Sequence, residues 1–479
     1  MLFNLFLIKM KKIFLVLMIL AVPAFLFAGK PLYDIKVKFT GVKDTFCYLA
    51  HYYGENRYIS DTARIDSKGM GEFKGKEALH GGIYVVIITP KKYFDIIIDK
   101  QQEFSIEADT NDILGTVKFK GSADNQQFYD YQRYGQTKQK EAEPLREEMK
   151  KSKDSATIKT IKEKLIAIDK QVRDYKLDYM KNNPESFLTK VFKASVDIVI
   201  PDAPILRNGK KDSTFAYRYY IHHFFDNMDF ADERLIYTPV YNAKIKEFFT
   251  TLTAFGPDTI NKVADSLVAK SRASKEFFKF TIWYITHWSE TCAIMGFDAI
   301  FVHMADNYYT GDQASWMSAA NLKKISDRSK VLKNLLLGTT IPNLTAEDTT
   351  YTYLSLYNVK AKYLVLYFWD PTCGHCQKET PLLKALYDSI KYKGFEVFAL
   401  CTDPDLKAWK KYIIEHKLDW INVMDMQNVT GFHGTYDIIS TPIVYLLNEN
   451  KEIIAKGSLG VDQLIKILDD QFKKDENKK

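Results

Sequence analysis

Hydrophobic periodicity changes twice along this 479-residue chain, and each change marks a stretch that must fold by different rules. Over residues 31–120 apolar residues alternate with polar ones or gather in β-branched and aromatic runs. The segments YDIKVKFTGV, TFCYLAHYY, RIDSKGMGEFKG, GIYVVIIT and KYFDIIIDK are separated by Gly, Asp, Asn and Lys turns. A period of two belongs to a strand with one face inward. Short strands at such even spacing predict a β-sandwich or small barrel over residues 29–121.

From residue 122 the period becomes helical. Ile161, Leu165, Ile168, Val172, Tyr175 and Tyr179 are spaced by four, three, four, three and four, which lines one face of a helix. A stripe this short fits an intramolecular seam better than a coiled-coil dimer. Helical texture continues to about residue 335, punctuated by Pro201, Pro204, Pro239 and Pro257. An all-α domain over 122–336 is expected. The last segment, 337–479, alternates strand and helix: AKYLVLYFWD, HCQKETPLLKALYDSIKYK, GFEVFALCTD, PDLKAWKKYIIEHK, DWINVMD, TPIVYLLN, EIIAKG and GVDQLIKILDDQF. That alternation predicts an α/β sheet with parallel strands.

The first 28 residues read as a cleaved signal peptide. Lys9, Lys11 and Lys12 form a positive segment, Ile13 to Phe27 an apolar one, and Ala28–Gly29 a small-residue cleavage point. The rival is a membrane anchor, but the three lysines split the apolar residues into pieces too short to cross about 30 Å. No cysteine near the cleavage point offers a lipid acceptor, and Met10 is a second candidate start. The expected location is therefore the periplasm or cell envelope. Losing three lysines takes the formal charge from +7 to +4. Acids and bases are interspersed, which excludes a nucleic-acid footprint.

Within WDPTCGHCQKETP, residues 369–381, Cys373 and Cys376 stand two residues apart, after a strand and at the start of a helix. Unpaired N–H groups and the macrodipole at a helix N-terminus stabilise an anion. Cys373 is then the low-pKa attacking sulfur and Cys376, one turn further in, the resolving thiol. Zinc would need two more ligands, and no second Cys-x-x-Cys exists. A structural disulfide this short closes almost no loop. Cys47, Cys292 and Cys401 sit singly in apolar contexts and read as packing residues.

This segment resembles the thioredoxin superfamily, and within it the TlpA/ResA-like envelope thioredoxins, over about residues 338–475. The resemblance rests on Trp369 four residues before the first cysteine, on Cys-x-x-Cys, and on Pro381 five residues after Cys376. It rests also on YDIISTPIVYLL, which looks like the family's cis-proline segment, with Thr441 before Pro442. The resemblance implies that this loop lies beside the cysteines and offers backbone groups to a substrate. It further implies that GTTIPNL, 338–344, is the entry segment, and that the 66 residues from Cys376 to Pro442 hold an extra βα unit.

The chain departs from minimal thioredoxin at Tyr367, which replaces a buried Asp. Glu379 matches a glutamate of the ResA-like branch. It is either the proton acceptor for Cys376 or an ordinary first-turn acid. The intervening Gly374-His375 pair should make the site more oxidising, between about −270 mV for thioredoxin and about −180 mV for protein disulfide isomerase. A peroxiredoxin-type peroxidase would need Thr and Pro where this chain has Asp370 and Leu366. The upstream segments resemble a β domain and a helical domain of unknown function found before TlpA-like domains. Clustered aromatics at 217–225 are either a client groove or core.

The function expected is a thiol:disulfide oxidoreductase that exchanges a Cys373–Cys376 dithiol with protein substrates, supported by a membrane or periplasmic thiol partner. No cofactor beyond that disulfide is called for. The alternative is a non-enzymatic envelope binding protein with an accessory thioredoxin-like domain.

Overall fold

The computed structural model describes residues 32–477, so the expected leader at 1–28 lies outside the described residues. Eight strands open the chain: β1 (Tyr33–Thr40), β2 (Thr45–Tyr53), β3 (Asn56–Ile65), β4 (Met70–Gly75), β5 (Gly82–Thr89), β6 (Lys92–Ile98), β7 (Glu103–Asp109) and, after the one-turn helix α1 (Ile113–Thr116), β8 (Lys118–Lys120). They form two four-stranded sheets, β4-β1-β7-β8 and β3-β2-β5-β6. Ile35, Val37, Phe39 and Ile106 of the first sheet pack against Leu49, Val86, Ile96 and Ile98 of the second. This is the expected sandwich, with one parallel pair, β1 beside β7, that local pattern does not announce.

The run GIYVVIIT has no alternation because β5 is covered on both faces. Tyr84, Val86 and Ile88 enter the sandwich core, whereas Ile83, with Ile97 of β6, enters the core of the helical domain. Helices α2 (Ala123–Lys151) and α3 (Ser155–Asn182) form an antiparallel hairpin, and the six-residue stripe of α3 is its seam. Ile161 and Tyr179 are buried, and Tyr175 stacks on Tyr134 of α2 with ring centroids 4.7 Å apart. The stripe is intramolecular.

The start of α2 also seals an open sheet edge. β6 is terminal in its sheet, and exposed edge groups invite foreign strands. Buried Asn125 accepts the Ile97 N–H at 2.7 Å and donates to the Ile97 carbonyl at 2.7 Å. Tyr129, one helical turn on, donates to the Asp95 carbonyl at 3.0 Å. Four residues of helix rise about 6 Å and two residues of strand about 6.6 Å, so the two periods match here.

Helices α4 (Phe187–Ala194), α5 (Phe215–His223), α6 (Pro239–Thr251), α7 (Pro257–Ser271), α8 (Lys275–Thr291), α9 (Asp298–Tyr308) and α10 (Ala319–Lys333) complete the central domain. Pro239 and Pro257 stand in the first turns of α6 and α7, where a missing N–H costs nothing. Phe224 and Phe225, from the aromatic cluster singled out above, are buried in the helical core.

The C-terminal domain contains β9 (Thr345–Asp348), β10 (Tyr353–Ser355), β11 (Tyr363–Trp369), α11 (Gly374–Ile390), β12 (Phe395–Cys401), α12 (Leu406–Glu415), β13 (Ile421–Met424), α13 (Phe432–Thr435), β14 (Ile443–Asn448), β15 (Ile453–Gly457) and α14 (Val461–Glu476). Its sheet runs β10-β9-β13-β12-β11-β14-β15, with β11, β12 and β13 parallel and the rest antiparallel. The α12–β13 unit falls between Cys376 and Pro442. The β9–β10 hairpin was not foreseen. It is short and Thr-rich, and Asp348 turns it by accepting the Thr350 and Thr352 N–H groups. Among the described residues no helix is long and apolar enough to cross a membrane.

Asn125→Ala leaves two buried backbone groups of β6 unpaired, at about 1–3 kcal/mol each. Denaturant unfolding of the full chain should show the β–helical part weakened by that order, with Cys373 chemistry unchanged. A loss below 0.5 kcal/mol (about the scatter of surface changes) would mean that the edge is sealed by something else.

Candidate functional site

Strand β11 ends at Trp369, and the next four residues turn the chain into α11. Asp370 makes the turn: its Oδ1 accepts the Thr372 N–H at 2.6 Å and the Thr372 hydroxyl at 2.7 Å, while its carbonyl accepts the Cys373 N–H at 3.2 Å. An Asp followed by Pro is a turn initiator, so this role was open to sequence reading and was passed over. Cys373 arrives in extended conformation as the residue capping α11 (φ −72°, ψ 121°), and Gly374 to Cys376 form the first turn. The free amides of that turn face the Cys373 sulfur.

The Thr441–Pro442 peptide, which leads into β14, is cis. It lies against the cysteines: the Cys373 Sγ is 3.3 Å from the Thr441 carbonyl, to which the thiol donates. Five of the residues named from sequence therefore meet at one place: Cys373, His375, Cys376, Thr441 and Pro442. Trp369 is fully buried behind them, stacked parallel to Tyr367 with centroids 6.4 Å apart and tilted against Tyr412 at 5.2 Å. It forms the floor and does not reach the surface. Tyr367, in the place of thioredoxin's buried acid, is bonded to Thr380 at 3.0 Å within the core.

The two thiols differ sharply. Burial works against ionisation of Cys373. The Cys376 backbone N–H, the Thr441 side chain, the Cys376 thiol and the His375 backbone N–H nonetheless hold its pKa below the ordinary thiol value. Cys376 has no exposed surface, and burial pushes its thiol up to about 12, with the Cys373 sulfur adding to the rise. The His375 side chain is exposed, and it is the His375 backbone amide that favours the Cys373 thiolate.

Glu379 is half-buried one turn beyond Cys376. Its Oε2 accepts the Val461 N–H at 2.9 Å, so it caps the start of α14. That bond joins residues 82 apart and has no local signal. Cys401 is buried at the end of β12, in register with Trp369, and burial raises its pKa. Cys47 is buried in the sandwich and pushed up to about 12. Among the described residues no three His, Cys, Asp or Glu side chains converge as metal ligands.

A reactive cysteine at a helix N-terminus, a shielded partner one turn in, and a cis-proline loop across from them define a thioredoxin-like domain. Residues 337–456 match the AhpC/TSA family, and residues 33–128 match a domain of unknown function, DUF4369. The domain is 28% identical over 124 residues to the thiol-disulfide oxidoreductase ResA of Bacillus cereus, which covers 26% of this chain and 70% of that protein. It is 29% identical over 134 residues to ResA of Bacillus thuringiensis, covering 28% and 76%. A solved domain of a possible thiol-disulfide isomerase from Cytophaga hutchinsonii is 45% identical, covering 30% of this chain and 97% of that one, with TM-score 0.28.

In the reduced protein, iodoacetamide should modify Cys373 well before Cys376. The Cys373 rate should rise with pH and level off above a midpoint below the unperturbed value of about 8.5. Thr441→Val removes the hydroxyl but keeps the carbonyl, so the midpoint should move to higher pH. Equal rates for the two thiols, or an unmoved midpoint, would count against this electrostatic account.

Proposed function

We propose that this protein is an exported thiol:disulfide oxidoreductase that exchanges the Cys373–Cys376 pair with disulfides of protein substrates in the cell envelope. The acidity difference between the two thiols carries the reading: one sulfur is poised to attack and the other is held back. The charged n-region and apolar stretch within residues 1–28 support export.

In the reducing direction, the Cys373 thiolate attacks a substrate disulfide. A Cys373–substrate disulfide forms, and the first substrate sulfur leaves as a thiolate that takes a proton from water. Cys376 then attacks the Cys373 sulfur, the mixed bond breaks, and the second substrate sulfur departs. Two electrons have passed to the substrate, and the pair is left as a disulfide for a membrane or periplasmic thiol partner to reduce. Run backward, the same steps oxidise a dithiol. The Thr441 carbonyl, already in contact with the Cys373 sulfur, is positioned to receive a substrate backbone donor. Because burial holds Cys376 near 12, its attack calls for a base. Glu379, three residues on along α11, is the carboxylate for that role.

Insulin reduction driven by dithiothreitol tests the scheme. The full chain should accelerate it, Cys373→Ser should abolish the acceleration, and Cys376→Ser should accumulate a mixed disulfide. Glu379→Gln can still accept the Val461 N–H but cannot take a proton, so its mixed disulfide should persist longer, by on the order of 10²-fold. An active Cys373→Ser protein would sink the proposal, and a Glu379→Gln protein with normal resolution would remove the base.

A further inference from the structure

An apolar hollow lies between the β domain and the helical domain. It measures about 610 Å³, and its lining comes from Tyr53, Asn56 and Tyr58 on one side and from residues of α8, α9, α10 and the loop 309–317 on the other. No residue of the thioredoxin-like domain contributes. The volume falls in the range of small-molecule sites, roughly 300–1,000 Å³. We propose that this cavity binds a small amphipathic anion, an aromatic or other flat apolar body carrying a carboxylate or sulfonate-like group.

The walls argue for the flat body. Most large aromatics of the helical domain are packed away, yet Trp283 is 46% exposed and Trp316 39% exposed, and both face this hollow. Trp283 stacks on His287 at 5.5 Å with the planes 8° apart, and Phe280 stands 5.5 Å from Trp283. An indole held in one plane by its neighbours presents a ready stacking face at little entropic cost.

The charges argue for the anion. Lys279, Lys324 and Arg328 line the cavity with one carboxylate, Glu290, and Glu276 and Asp437 just outside it pair with Lys279 and Arg328, so Lys324 is the lining cation left for a ligand. Glu290 is itself bonded to the Arg328 guanidinium. Lys279 lies 3.6 Å from Glu276 and 5.7 Å from the centre of the Tyr53 ring. Lys324 is exposed and makes no ion pair among the described residues, so its ammonium is free to meet a ligand. A cationic ligand would face the Lys324 ammonium, and a neutral one would leave it unused. Charge complementarity in a partly desolvated aromatic hollow therefore selects an apolar anion.

Arg328 also reaches Asp437, at 3.3 Å, and so ties the helical domain to the thioredoxin-like domain. Substitutions there would disturb more than the cavity. Trp283 and Lys324 are the better choices, since both are substantially exposed and neither holds the domains together.

8-Anilinonaphthalene-1-sulfonate is a probe of the proposed class, and N-phenyl-1-naphthylamine is its uncharged counterpart. With the full chain, the sulfonate should bind saturably at one site per chain, with enhanced fluorescence. Trp283→Ala and Lys324→Glu should each weaken it at least tenfold, and the neutral amine should bind at least tenfold more weakly than the sulfonate. Far-UV circular dichroism and the denaturant midpoint of the β–helical part should match the parent in both variants, which certifies their folding. Unsaturable binding, binding unmoved by either substitution, or equal affinity for the neutral amine would each overturn the proposal.

Discussion

The site depends on one strand being buried on both faces. All seven residues of β11 are buried, and their side chains divide by parity. Tyr363, Val365, Tyr367 and Trp369 enter the core beneath α11, whereas Leu364, Leu366 and Phe368 enter the core on the other side. A strand gripped this way cannot slip by one residue without moving every side chain to the wrong layer. Its end is therefore fixed, and so is the place where Asp370 turns the chain and Cys373 meets the helix N-terminus. On one flank β12 continues the parallel sheet, and on the other β14 runs antiparallel from Pro442, which brings the Thr441 carbonyl to the sulfur. The reactive thiol is a consequence of register.

What was legible in the sequence follows from how local the signal is. The cysteine pair, its strand-to-helix setting and the Thr441-Pro442 dipeptide are short, and their chemistry is carried by residue type. The seam of α3 was legible because a helical stripe repeats. The Thr-rich β9–β10 hairpin was not, since three- and four-residue strands carry too few side chains to show a period. Glu379 shows the limit best. Its position suggested a proton acceptor or a first-turn acid, whereas its visible bond reaches Val461 on another helix. The lining of the aromatic hollow is scattered from Tyr53 to Arg328, and no spacing rule connects such residues.

The helical and thioredoxin-like domains are joined near the cysteine pair by charge as well as by packing. Arg328 of α10 bonds Glu290 at the end of α8 and Asp437 in the segment that runs to Thr441. Lys456 of β15 bonds both Asp298 at the start of α9 and the Leu335 carbonyl. Met295, in the loop between α8 and α9, packs on the same core as Cys373. Half-buried ion pairs of this kind contribute modestly to stability, but their directionality fixes orientation. The helical domain is thus a positioned neighbour of the cysteine pair and not a tethered appendage.

The unequal acidity of the two thiols also constrains how the site responds to pH. Closing a Cys373–Cys376 disulfide, the step proposed above, would release two electrons, and two protons while both sulfurs are thiols, so its potential would fall by about 59 mV per pH unit. Once Cys373 is ionised in the reduced form, only the Cys376 proton remains to be released, and the slope halves to about 30 mV per unit. The break sits at the Cys373 pKa, below the ordinary thiol value, and no second break follows until Cys376 ionises near 12. Above the first break the reduced form is favoured more than an unperturbed dithiol would be, because its thiolate is already solvated by helix amides and Thr441. The same donors that make Cys373 a good attacking group therefore make the pair a better oxidant. A helix N-terminus cannot supply one property without the other.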